Sequence, residues 1–117
     1  MPETFEPLHE SFSIADADAP CLIYTQGLLH VRFKDWREQE VELRFFDVIA
    51  FSWDEGEAAL DKAHRDDASY LVIGSEWLKR HIDVNNVYAD ERHHHYKLCF
   101  NAAGILQVLA QSLKVST

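Results

Sequence analysis

The sequence predicts an α+β fold: a predominantly antiparallel sheet of about five to six strands, with a C-terminal amphipathic helix packed on one face. Three observations point there. Glu40 to Phe46 alternates apolar and polar with the period of a half-buried strand, and Gln26-Gly27 splits two β-favouring runs, Cys21 to Thr25 and Leu28 to Lys34, as a two-residue hairpin turn. After Asn101 the apolar positions recur at helical spacing.

A chain of 117 residues is the usual size of one domain, and with 47% hydrophobic residues it can build its own core. Residues 1–20 hold all three prolines and the acidic stretch ADADAP, which disfavour regular structure, so they read as an N-terminal arm on a single α+β domain of residues 21–117. Phe5, Leu8, Phe12 and Ile14 are its anchors, with Phe12 and Ile14 alternating with serines like a short edge strand.

Cys21 to Thr25 and Leu28 to Lys34 form the first hairpin, pairing Leu22 with Val31 and Tyr24 with Leu29. Glu40 to Phe46 follows after five residues. With Phe33 opposite Val41, the pairs Val31 with Leu43 and Leu29 with Phe45 are buried, while Lys34 meets Glu40 and Arg32 meets Glu42 on the wet face. Asp47 to Trp53 is apolar at both parities, as in a central strand covered on both sides or one that bends. Asp54 and Glu57 have capping-box spacing before a short helix over Glu57 to Arg65.

Ser69 to Ile73 reads as another strand, and Ser75 as the N-cap of a helix from Glu76 to Asp83. His93 to Phe100 is a strand with Tyr96, Leu98 and Phe100 on one face and His93, His95, Lys97 and Cys99 on the other, looking outward. Asn101 then caps the closing helix, whose stripe is Ala102, Ile105, Leu106, Leu109 and Leu113, with Gln107 and Gln111 at its outer edge.

Composition narrows the function. No apolar run approaches the ~20 residues of a membrane span, and the first residues carry neither a basic nor an apolar signal region, so a soluble, cytoplasmic protein with no membrane partner is expected. Twenty acidic against eleven basic residues give a net charge of -9, which repels a phosphate backbone and argues against nucleic acid. The same charge suits a basic protein partner. Two separated cysteines, Cys21 and Cys99, read as reduced thiols.

Nothing amounts to a catalytic signature: there is no phosphate-binding glycine loop, and no serine has a nucleophile-elbow context. The binding candidates are Trp36, which a polar turn is poorly placed to bury, and the carboxylates Asp54, Glu55, Glu57 and Asp61. The metal candidates are His93, His95 and, more distantly, Cys99. Two imidazoles two residues apart on one strand face can hold zinc or nickel between them, although a strand supplies few close ligands.

The order LLHVRFKD, EVELRFFDVIAFSWDEG and HYKLCFNAAGILQVLAQ resembles small uncharacterised bacterial proteins, some of them encoded like toxin-immunity partners. The resemblance spans residues 28 to 113 and implies an interaction protein with no catalytic residues to transfer. The favoured reading is therefore a non-enzymatic protein-interaction domain that meets a basic protein and needs no cofactor, homo-oligomerisation remaining open. The alternative is a small metal-binding protein or metal-dependent enzyme using the His93/His95 cluster. A lipid- or peptide-binding domain of pleckstrin-homology-like shape is a third, on fold analogy alone.

Overall fold

A computed structural model of the chain describes residues 3–8, 12–55, 68–83, 92–100 and 103–116. They form β1 (Thr4–Pro7), β2 (Cys21–Thr25), β3 (Leu28–Lys34), β4 (Glu40–Phe46), β5 (Ala50–Asp54), β6 (Ser69–Ile73), α1 (Glu76–Asp83), β7 (His94–Phe100), β8 (Gly104–Ala110) and β9 (Ser112–Ser116). Two antiparallel sheets result, one in the order β1-β6-β7-β8-β5 and one in the order β2-β3-β4-β9. The helix expected over Glu57 to Arg65 lies outside the described residues, as do the Asn101 cap and the candidates Glu57 and Asp61.

The first three domain strands form in the expected register. Leu22 lies opposite Val31, Phe33 opposite Val41, Leu29 opposite Phe45, and Lys34 opposite Glu40. Gln26 and Gly27 both have positive φ, the geometry that turns a right-twisted hairpin in two residues. On the wet face Arg44 Nε donates to Glu42 Oε1 at 2.7 Å; this hydrogen bond holds the Glu42 carboxyl below its usual range.

The two sheets close on each other through these strands. Leu29, Val31, Phe33, Val41, Leu43 and Phe45 share one buried cluster with Tyr96, Leu98 and Phe100 of β7 and Leu106, Val108 and Ala110 of β8. Phe45 meets Tyr96, and Phe33 meets Phe100, edge to face at 5.2 Å between centroids, the arrangement that aromatic quadrupoles favour. The arm joins this architecture. Thr4–Pro7 pairs with β6, and Ile14 and Ala17 are buried in the same cluster, whereas Phe12 and Ile14 are not a strand.

The C-terminal helix, and with it the expected α+β class and pleckstrin-homology-like shape, is overturned. Residues from Gly104 form β8 and β9, and the only helix among the described residues is α1. The physical reason is that Gly104–Ala110 is covered on both faces, so nearly every position is apolar and a helical stripe can be picked out of a strand. Ile105 and Leu109 share the outer face with His95 and Cys99, while Leu106 and Val108 face the other sheet. Ser112–Ser116 alternates half-buried Leu113 and Val115 with exposed Ser112, Lys114 and Ser116, a strand period.

Of the two readings of the run Asp47 to Trp53, the bend holds and the central strand does not. Its strand is Ala50–Asp54, and it lies at a sheet edge beside β8 rather than at the centre. Its first residues are instead a corner at which the chain leaves one sheet for the other: Asp47 has a φ of 56°, and Ile49 N donates to Leu109 O at 2.9 Å. The return crossing from β8 to β9 runs beside it, with Gln111 N donating to Phe46 O at 2.9 Å.

Candidate functional site

The turn between β3 and β4 is built around one carboxylate. Asp35, only 5% exposed, accepts through Oδ1 from Arg37 N at 2.9 Å and from Gln39 N at 3.0 Å. Its own backbone closes the loop: Asp35 N donates to Gln39 O, and Glu38 N to Asp35 O. Glu38 takes a φ of 62°, and the Arg37 guanidinium lies 3.5 Å from Asp35 Oδ2. Such side-chain bonds to a turn's own backbone fix a loop that would otherwise be free to vary.

Trp36 is the large side chain that this turn presents, and it is 61% exposed. Arg37 Cζ lies 5.5 Å from its ring centroid, within cation–π range. Lys34 and Glu40 flank the turn, and Asp18 N donates to Lys34 O at 3.0 Å, bringing Asp18 alongside. Asp18, Asp35, Glu38 and Glu40 thus stand against Lys34 and Arg37, leaving the tip net negative. From its base a groove of about 580 Å³ extends across the wet face, lined by Asp18, Arg32, Lys34, Glu40 and Glu42 among others.

The remaining sequence candidates do not converge on this tip. Asp54 ends β5 and Glu55 follows it, both exposed on the other sheet's edge. Trp53 packs on Phe100 at 6.0 Å and Trp77 on His95 at 5.3 Å, so the other two tryptophans are partly buried packing residues.

His93 and His95 do not look outward to solvent: both are buried, as is Cys99. The parity expected for β7 is right, but the outer face of its sheet is itself covered, in part by α1. There the His95 ring forms a clasp. Gln107 Oε1 accepts from Nε2 at 2.8 Å, which leaves Nδ1 to accept from the Ser75 hydroxyl at 2.7 Å. Ser75 Oγ in turn accepts from Leu78 N at 3.1 Å, capping α1 as its sequence position predicts. Burial pushes the His95 pKa below 6.5, opposed by the Gln107 hydrogen bond and by the Glu3 carboxylate, and reinforced by Lys97.

A serine donating to an imidazole has the outline of an activated nucleophile. Here the serine oxygen is already committed to a backbone N–H, Ser75 is buried, and the distal partner is a neutral amide. The arrangement ties β6, α1, β7 and β8 together through neutral groups. Among the described residues no group of three or more histidine, cysteine or carboxylate side chains could hold a metal ion. Cys21, exposed, and Cys99, buried, are not joined in a disulfide.

Sequence reasoning missed Asp35 and Gln107. Asp35 had a readable signal, since an aspartate opening a short loop is a common acceptor for the backbone two residues on. Gln107 had none once its segment was taken as helix. Among the described residues, no helix is long and apolar enough to cross a membrane. Comparison with family models, curated proteins and solved structures gives no match.

Proposed function

We propose that the chain is a non-enzymatic protein-interaction domain that uses the Trp36 hairpin and its carboxylates to engage a basic protein, as an immunity-type partner does. One observation carries this reading: a tryptophan 61% exposed on a turn whose backbone is fixed by a buried aspartate. Exposing an indole sacrifices burial worth roughly 2 kcal/mol, and ordering the turn beneath it lowers the entropy lost on binding. Tryptophan is also prominent among residues that anchor interfaces.

The net charge of -9 adds long-range attraction for a cationic partner, and arginine or lysine side chains can stack on the indole face while pairing with Glu38 and Glu40. A zinc or nickel ion at His93, His95 and Cys99 would have to displace Ser75 or Gln107 from the His95 ring, so the clasp favours the interaction reading over the metal one.

Nuclear magnetic resonance mapping tests the proposal with a nona-arginine peptide as the probe. The largest shifts should fall on the Trp36 indole and on residues 35–40. Shifts spread evenly over all exposed carboxylates, with Trp36 unmoved, would contradict the assignment of this site.

A further inference from the structure

We propose that α1 is an acid-released flap: charging the His95 ring lets the helix leave the five-stranded sheet while both sheets stay folded. The helix is weakly held. It has eight residues, fewer than the roughly 12–15 at which a helix stands alone, and none of them is fully buried. Its first turn is tied to the sheet at the His95 ring, twice. The Ser75 hydroxyl donates to Nδ1 at 2.7 Å, and the Trp77 ring meets the imidazole edge to face at 5.3 Å between centroids. Glu3 adds an exposed bond, its carboxylate accepting from Glu76 N at 2.9 Å. The strand that carries His95 is, by contrast, paired on both sides, with β6 and with β8.

The fastening needs a neutral ring. With its Nε2 proton given to Gln107, His95 offers Ser75 the lone pair on Nδ1, and a proton there meets the hydroxyl hydrogen head on. Turning the hydroxyl round does not restore the contact cheaply. Ser75 Oγ already accepts from Leu78 N, and its hydrogen would have to give up the acceptor it has in a buried site. The imidazolium would also lie buried between two neutral partners, with Lys97 on the same strand face repelling it. Once the flap lifts, water reaches the ring, so the open form takes up the proton first.

The other groups around His95 do not reverse this. Glu3 favours the charged ring, but burial outweighs it. Val72 of β6 and Leu109 of β8 lie opposite His95, and neither titrates. His93, buried two residues before it, can only add repulsion when charged. On α1, Glu76 stands in the first turn, and His81 lies beyond the Trp77 ring in the last turn, where positive charge supports a helix. Protonating His81 therefore opposes release. Among the described residues no group able to hold a metal ion includes His95. The Trp36 turn belongs to the other sheet, so the flap and the binding site stand or fall separately.

Nuclear magnetic resonance on the full chain between about pH 8 and about pH 5 tests this inference, with backbone carbon shifts reading the helix and long-range nitrogen spectra reading the ring. At the upper end His95 should carry its proton on Nε2 and Glu76–Asp83 should be helical. Below 6.5 the opening equilibrium should rise about tenfold per pH unit until the folded value is reached. The α1 shifts should then move toward coil in step with ring protonation, while those of β3 and β4 stay in place. His95→Gln should make the α1 shifts independent of pH, and if that variant does not fold, the coincidence of ring and helix in wild type decides. An α1 that stays helical down to the lower limit, whether or not the ring charges, overturns the proposal. Loss of α1 and the sheets together, or the same α1 transition in His95→Gln, overturns it as well.

Discussion

His95 illustrates how one side chain acquires a task that its type does not announce. Imidazole nitrogens in water exchange partners freely, but here both are held, and charging the ring would set a proton on Nδ1 against the Ser75 hydroxyl hydrogen. Since the folded pKa lies below 6.5, the unfolded chain takes up the proton first as pH falls. The stability associated with neutral His95 is therefore full above 6.5 and is lost as pH drops toward the folded value. Chemical denaturation of wild type and His95→Gln over this window should show the steeper acid-side loss in wild type; parallel pH profiles would contradict the clasp. Asp35 is the second residue of this kind. Asp35→Ala leaves two turn amides without their acceptor and should cost about 1–3 kcal/mol in a denaturant titration, whereas Asp35→Asn keeps an acceptor oxygen and should cost less.

At the scale of elements, sequence was readable where one face is wet. Strands β3 and β4 alternate strictly, and a one-residue slip would expose Val41, Leu43 and Phe45 together, so their boundaries and register followed from the residues. The helix α1 was readable through the Ser75 cap. Legibility failed where both faces are covered, because β8 carries no period that separates strand from helix. The same covering hid the His95 environment: parity placed the ring on the correct face and could not show what lies over it. Gly104 marks the constraint at the start of β8. A Cβ there would lie 2.7 Å from Trp53 Cζ2 and against Asp54 O, backbone that cannot swing aside. Gly104→Ala should therefore lower stability by roughly 1–3 kcal/mol, seen as a lower Tm. An unchanged Tm would mean that β5 and β8 are not packed as described.

Over the whole molecule, charge and shape divide the surface by role. The core between the sheets and the covered outer face of the five-stranded sheet use the apolar residues, leaving Trp36 as the most exposed large hydrophobic side chain among the described residues. It stands on a rigid turn in a strongly acidic protein, and that combination is the basis for reading the chain as a binding domain. If acidity alone recruits a basic partner, removing the indole should change little; if the hairpin is the anchor, it should matter greatly. The deciding measurement is a calorimetric titration of wild type and Trp36→Ala with nona-arginine at matched ionic strength. The expected result is a loss of about tenfold in affinity, roughly 1.4 kcal/mol, with an unchanged Tm. Equal affinity in the two proteins would contradict the account.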